Sequence, residues 1–376
     1  MIKKKFLMLY LKTGGGHLAP AKAIAGYMRN HYSDSSDPVL VDCLEETPGF
    51  VKYIIEDGYR ITQSKAKWLF EFLYAVNKIQ FVAKITCFAV GLFIKPHLKR
   101  IIAKEKPDKI ICLHFFILQP LFSVIKNQKL NIPVITLVTD PFTPHTMWFL
   151  NKKQDFILFS EKLGEKIKLK LPGSSVKIFP FVLDEKFSTP VGETEIKKIK
   201  VKREIDQNKK VLLIVGGGDG IPHGRRILEG ILSNDINVFI IIVCGKNKEL
   251  FNQAMELKKQ YNSKNLLIFG YVDFVYDLIN ASDLVITKCG ASTIMEILLL
   301  KKVPVVNDYI WEQEQGNVDF LIANNLGIYE PKLPKLPELI NELITNNEKL
   351  NFYKSNIEKF GLQNGTGMVS EYLLKK

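Results

Sequence analysis

LVITKCGASTIMEILLLKKVPVVNDYIWEQEQGN, residues 284–317, is the stretch on which the reading of the fold turns. The apolar run Leu284-Val285-Ile286 ends in a small-residue turn, Cys289-Gly290-Ala291. Ser292 and Thr293 then open an apolar helix that carries one acid, Glu296. A second apolar run, residues 303–306, follows directly, and strand, helix and strand in that order make a parallel pair. Unpaired backbone N–H groups and two hydroxyls at a helix start form a place for phosphate. Glu296, one turn in, can hold a ribose diol. The polar residues 312–317, expected as a loop, offer Gln313, Glu314 and Asn317 to sugar hydroxyls. This is the layout of a nucleotide-sugar pocket. Thr293 and Glu296 also fit a capping box, an alternative that leaves residues 312–317 unexplained.

The same alternation runs outward from this stretch in both directions. Strand candidates in the first half are residues 6–11, 39–42, 109–113, 134–139 and 156–160. In the second half they are 211–215, 238–244, 266–269, 284–287 and 303–306. Helical patterns separate them, so the expected fold class is α/β with two Rossmann-like, doubly wound domains. Both halves open with a strand followed at once by a triple glycine, Gly14-Gly15-Gly16 and Gly216-Gly217-Gly218. The charged stretch 190–210 carries no strand pattern and marks a boundary near residues 185–205. The expected domains are 1–190, for acceptor and membrane, and 205–376, for donor, with the last helix packing back on the first. Two such domains facing a cleft would bind ligands at the carboxyl ends of their strands.

Bulk composition narrows the class. A chain of 376 residues, 47% hydrophobic and 24% charged, is long enough for two folded domains. Five cysteines without paired metal spacing fit a reducing compartment. The N-terminal apolar run has no cleavage site and reads as a first strand rather than a signal peptide. No run reaches the roughly 18–20 uninterrupted apolar residues that a span requires. The net charge of +13 calls for an anionic partner, either lipid headgroups or nucleic acid. Only six of the 52 basic residues are arginine, which disfavours specific base-edge readout. A composition rich in Lys and Ile throughout accounts for the charge equally well.

Residues 65–106 break the alternation. Trp68, Phe70, Phe72, Phe81, Phe88 and Phe93 are interleaved there with Lys67, Lys78, Lys84, Lys95, Lys99 and Arg100. Basic, aromatic-rich helical segments lie in the interfacial plane of anionic membranes. The alternative is an ordinary pair of helices packed on the first sheet. Trp68, Lys95, Lys99 and Arg100 are the candidate membrane contacts.

Three further motifs follow strands. Thr13-Gly14-Gly15-Gly16-His17 precedes a helix opening at Leu18-Ala19-Pro20, where proline suits the first turn. His17 at that helix start is disfavoured in its protonated form by the helix dipole, so it can serve as a general base. A packing or capping role is the alternative. Thr139-Asp140-Pro141 runs to His145 and Trp148 in a rigid loop, where Asp140 can orient His17 or His145 or cap its own turn. Gly216-Gly217-Gly218-Asp219-Gly220 can turn its amides toward a diphosphate. It is not a P-loop, and no acid ends a strand about 20 residues on, so NAD is not expected. No Asp-x-Asp pair offers a metal site, which leaves the diphosphate charge to the helix start and amides.

These motifs together resemble one family. The chain is similar to monogalactosyldiacylglycerol synthases and processive diacylglycerol glucosyltransferases, which belong with the lipid II-forming N-acetylglucosaminyltransferases among GT-B, family 28 glycosyltransferases. The resemblance rests on Gly14 to His17, the T-D-x-x-x-x-H-x-x-W-F pattern from Thr139, Gly216 to Gly218, and residues 287–317. Asn307-Asp308-Tyr309, Gly316-Asn317-Val318 and Leu326-Gly327 are its most specific parts. It departs from the family where Lys288-Cys289 replaces the usual Pro-Gly and Glu312 replaces the glycine before Gln313-Glu314. Both changes fall where the sugar is chosen.

The resemblance implies inverting transfer of glucose or galactose from UDP-glucose or UDP-galactose to 1,2-diacylglycerol, without a cofactor or a metal. The enzyme would be peripheral, at the cytoplasmic face of the cell membrane, with anionic lipids as partners. By this analogy His17 is the base, and Asp140 and His145 support the acceptor side with Gly16 and Trp148. Gly217, Gly218, Gly290, Ser292 and Thr293 would take the diphosphate, Glu296 the ribose, and Gln313, Glu314 and Asn317 the sugar. A lipid II-type UDP-N-acetylglucosamine transferase or a UDP-sugar epimerase of the same fold are the alternatives.

Overall fold

The computed structural model describes residues 3–375, with side chains at all of them except Ser64 and Lys65. The chain divides into two compact units. The first comprises Met1–Glu185, Trp311–Gln313 and Asn364–Lys376; the second comprises Lys186–Ile310 and Glu314–Gln363.

Each unit is built on a six-stranded sheet whose paired strands all run parallel. The first holds β1 (Lys4–Tyr10), β2 (Ser36–Asp42), β3 (Lys109–Cys112), β4 (Val134–Leu137), β5 (Asp155–Leu158) and β6 (Ser175–Ile178), in the order β2-β1-β3-β4-β5-β6. The second holds β7 (Val211–Val215), β8 (Phe239–Val243), β9 (Leu266–Phe269), β10 (Leu284–Lys288), β11 (Val303–Asp308) and β12 (Ile328–Tyr329), in the order β12-β11-β10-β7-β8-β9. Central strands such as VLLIV and FIIIV are buried at every residue, as expected of parallel strands covered on both faces.

In each sheet the chain builds outward from its first strand, then returns to the other side of it. The reversal lies between β1 and β3 in the first sheet and between β7 and β10 in the second. In doubly wound sheets this switch point, at the carboxyl ends of the strands, leaves a crevice for ligands. Residues 13–17 and 113–114 flank the first reversal; residues 216–220 and 289–292 flank the second.

Several expectations need correction. The helix after β1 starts at Gly15, one turn earlier than read, because Gly14 takes φ +87°, a conformation open to glycine, and turns the chain into it. Pro20 therefore sits inside the helix Gly15–His31 rather than in its first turn. Residues 312–317 are not a loop but the opening of the helix Trp311–Ala323. Their polarity has a local cause: the Glu314 carboxylate reaches back to accept the Ile310 N–H at 2.7 Å and so caps its own helix. Thr293 and Glu296 form no capping box, since the helix Ala291–Leu299 has Gly290 at its N-cap and Thr293 lies inside it.

No run of spanning length is uninterrupted by charge, yet one helix is long and apolar enough to cross a membrane. The helix Gln80–Glu105 passes by length and composition, with a mean hydropathy of 1.4 in its most apolar window. It reaches that value because it is apolar on two faces. Ala83, Cys87, Gly91, Ile94 and Leu98 face the core, where Gly91 lets the Pro120 ring approach closely; Phe81, Ile85, Phe88 and Leu92 face outward. The inward face is that of a packed core helix.

The short edge strands β6 and β12 were not foreseen. Ser175-Val176-Lys177-Ile178 alternates between exposed and half-buried, too polar and too short to stand out. The helix Thr366–Lys375 contributes Val369 and Leu373 to the core under β1 in the first unit.

Candidate functional site

His17 lies in the first turn of its helix at the first switch point, only 5% exposed. It is thus buried at that helix start. Its Nδ1 is 2.7 Å from the Thr139 hydroxyl, which follows β4. Burial lowers its pKa below the ordinary 6.5, against the opposing charge of Asp140 and the Leu113 carbonyl. Gly14, Gly15 and Gly16 beside it are exposed, and a side-chain carbon added at Gly16 would meet open space.

Asp140 hydrogen-bonds neither His17 nor His145. Its Oδ2 accepts from the Trp148 indole at 3.0 Å and its Oδ1 accepts from the Gln313 amide at 3.2 Å. The effect on His17 is through charge alone. Trp148, expected at the acceptor or membrane surface, is fully buried and acts as a donor that fixes this carboxylate. His145 is likewise occupied. Its Nδ1 accepts the Met147 N–H and its Nε2 donates to the Tyr74 carbonyl, each at 3.2 Å, so it braces the loop. Gln313 clusters with the first unit, where its side-chain oxygen accepts from Tyr59 and its backbone carbonyl from Thr143.

His114, 2% exposed, went unread in the sequence. It follows β3, as His17 follows β1, and its ring centroid lies 4.4 Å from that of His17. Position after a buried strand was the available signal.

The second switch point carries the donor candidates. Gly216 admits no side chain, because an added carbon would lie 2.3 Å from the Gly220 carbonyl oxygen and the Ile221 Cα. The tight turn leaves Gly217 half-buried and Gly218 exposed. Across the reversal, Gly290 caps the helix Ala291–Leu299, and the Ser292 hydroxyl at its start is buried without a hydrogen-bond partner. An unpaired hydroxyl and free amides at one helix start suit a phosphate oxygen. Thr293 and Glu296 are half-buried on the same helix.

Glu314 and Asn317 sit differently from the sugar contacts expected. Glu314 is 9% exposed and Asn317 3% exposed. The Asn317 amide donates to the Cys289 carbonyl at 2.8 Å, so it holds the turn that presents Gly290 and Ser292.

The first unit also carries an exposed apolar surface. Trp68 is 71% exposed, Phe81 72% and Phe88 65%, far beyond what isolated surface residues need. It extends past the segment read from sequence, since Phe50 and Ile54 are exposed too and Phe50 packs edge-on against Phe93. Of the expected basic contacts only Lys99 is exposed without an ion pair among the described residues. Lys95 donates to Ser123 and Arg100 pairs with Glu46.

Comparison with known proteins identifies the family. The monogalactosyldiacylglycerol (MGDG) synthase profile matches residues 17–179, and the glycosyltransferase family 28 C-terminal domain profile matches residues 207–364. A processive diacylglycerol beta-glucosyltransferase from Bacillus cereus is 30% identical over 309 residues, covering 81% of this chain and 76% of that protein. The chain belongs to the MGDG synthase and diacylglycerol glucosyltransferase family.

A probable chloroplastic MGDG synthase of Nicotiana tabacum is 25% identical over 350 residues, covering 90% of this chain. The chain spans 64% of the length of that plant relative. Among solved structures, a glycosyltransferase from Rickettsia africae aligns with a TM-score of 0.60 at 15% identity, over 100% of this chain and 98% of that one. That likeness, with the two parallel-sheet units, gives the GT-B fold. Within the MGDG synthase family frame, the profile of the first unit takes in His17, His114, Asp140 and Trp148. The family 28 profile takes in residues 216–220 and 289–317.

Proposed function

We propose that this chain transfers a hexose, glucose or galactose, from its UDP conjugate to the free hydroxyl of a 1,2-diacylglycerol at a membrane surface, inverting the anomeric centre. The observation that carries this reading is His17: buried at the first switch point, its pKa lowered by that burial, and directly following three exposed glycines. The Bacillus cereus and Nicotiana tabacum relatives support the acceptor class, being named for diacylglycerol products. The exposed apolar surface in the same unit supports a bilayer as its source, with exposed Lys84 and Lys99 drawing anionic headgroups.

In the proposed reaction His17 removes the hydroxyl proton as the lipid oxygen attacks the anomeric carbon. The bond from that carbon to the β-phosphate oxygen breaks, and the electron pair leaves with UDP. Asp140, fixed by Trp148 and Gln313, favours the imidazolium that forms. The helix start at Ala291, with the Ser292 hydroxyl, meets the developing diphosphate charge.

The test is UDP release from UDP-glucose and UDP-galactose, in competition, on anionic vesicles containing diacylglycerol. Release that requires diacylglycerol is expected. Turnover of donor without lipid would instead indicate an epimerase, and acceptance of a lipid II precursor only would indicate the N-acetylglucosaminyltransferase branch. His17→Ala should reduce transfer by about 10²–10⁴-fold, the usual worth of a general base, while UDP binding measured by calorimetry is unchanged.

A further inference from the structure

His114 is a buried titratable side chain for which the proposed transfer has no use. Its surroundings determine its chemistry. Nδ1 accepts the Phe116 N–H at 3.2 Å, capping the helix Phe115–Asn127. A backbone amide can only donate, so Nδ1 holds the lone pair and the ring proton resides on Nε2. That Nε2–H faces the Thr13 hydroxyl at 3.1 Å, both residues being buried. Thr13 immediately precedes Gly14, whose positive φ turns the chain toward His17.

One side chain therefore ties the turn after β3 to the turn after β1, across the switch point, while its ring packs at 58° against the His17 ring. On its other edges His17 meets Thr139, the Leu113 carbonyl and, at 6.2 Å, the Trp148 ring.

We infer that His114 is a positioning residue for His17: locked as the neutral Nε2–H tautomer, it holds Thr13 and walls one side of the His17 ring. This rests on the reading of His17 as the base. Neutrality at His114 is essential to the role, since a cation 4.4 Å away would oppose proton uptake by His17. Burial keeps it neutral, with His17 adding to the effect. The titratable groups acting on His17 are His114, across the ring contact, and Asp140, through its charge.

A helix cap alone would be satisfied by any acceptor at Nδ1, which gives the test its form. In His114→Asn the side-chain oxygen replaces Nδ1 as cap, and asparagine is among the best N-cap residues, but the reach to Thr13 is lost. In His114→Gln the terminal amide reaches Thr13 and the cap is weakened. Thr13→Val removes the same bond from the other side at equal volume.

The expected result is that His114→Asn melts like the parent yet loses kcat by about a hundredfold, the scale of a misplaced catalytic group, with donor KM little changed. Its acid limb of kcat/KM should move to higher pH, because water admitted beside His17 relaxes the burial that lowers its pKa. Thr13→Val should behave alike, the double variant should lose no more than either single one, and His114→Gln should recover most of the kcat. Unchanged kcat and pH profile in Thr13→Val would overturn the inference. So would losses that add in the double variant. If His114→Asn does not fold, Thr13→Val alone decides.

Imidazole nitrogen NMR on the parent reads the tautomer without any turnover. A neutral Nε2–H His114 through the ordinary imidazole range is expected, and titration in that range or an Nδ1–H tautomer would overturn the proposal. If His17→Ala stays active, the base reading fails, while the spectrum still judges the lock on His114.

Discussion

Asp140 carries an interaction with His17 that no hydrogen bond reveals. Its charge favours the imidazolium, while burial disfavours it, and burial is the larger influence. As the proposed base, His17 must be neutral to accept a proton, so transfer should persist below the ordinary imidazole range and fall only at lower pH. Asp140→Asn removes the charge while keeping an oxygen that can accept from Trp148. The acid limb should then move to still lower pH, and kcat should drop because the imidazolium loses its counter-charge. A limb that stays in place, or moves up, would show that Asp140 works only as a fixed point for Trp148 and Gln313. The place of His17, in the first turn of the helix after β1, was legible in the sequence from the strand and triple glycine before it. The role of Asp140 and the bracing role of His145 were not. Asp140 is bonded to a tryptophan eight residues on and a glutamine 173 residues away, and His145 donates to a carbonyl 71 residues back. Spacing along a chain carries no information about such partners.

Among elements, the helix Trp311–Ala323 shows where polarity misleads. Six polar or glycine residues read as a loop, yet Glu314 caps the helix and Asn317 fastens it to the Cys289 carbonyl. Asn317→Ala leaves that buried carbonyl unpaired, at about 1–3 kcal/mol. A lower melting temperature and weaker UDP binding should follow together, since the released turn carries Gly290 and Ser292. Weaker sugar discrimination with unaltered stability would instead return Asn317 to direct sugar contact. Strands β7 and β8 were plain because both faces are buried and every residue is apolar. Strands β6 and β12 were not, because edge strands are brief and mixed. The helix Gln80–Glu105 was read as basic and interfacial from its aromatics, but its lysines divide. Lys95 is held by Ser123, so charge reversal there should perturb packing more than docking. Phe81→Ser with Phe88→Ser should instead reduce sedimentation with anionic vesicles several-fold without changing turnover of diacylglycerol presented in detergent micelles; intact vesicle binding would place the lipid contact elsewhere.

At the scale of the molecule, three buried histidines set how stability depends on pH. His17, His114 and His145 all have folded pKa values lowered by burial. The unfolded chain therefore binds more protons as pH falls below about 6.5, and stability declines there; above that pH the three contribute no slope. Urea midpoints from pH 5 to 7 should fall toward the lower end, with a shallower fall in His114→Asn, while above that range Lys302, whose burial lowers its pKa to about 8, adds a rise of its own. A midpoint independent of pH would mean that these rings are already protonated or reachable by water in the fold.

The apolar surface of the first unit has a practical consequence away from any membrane. In plain buffer Trp68, Phe72, Phe81 and Phe88 have only water or a second molecule to cover them. Purified without lipid or detergent, the protein should form concentration-dependent assemblies that disperse when vesicles or micelles are added. On the proposed membrane reading, an oligomer weighed in such a preparation would describe what replaces the bilayer rather than the working form.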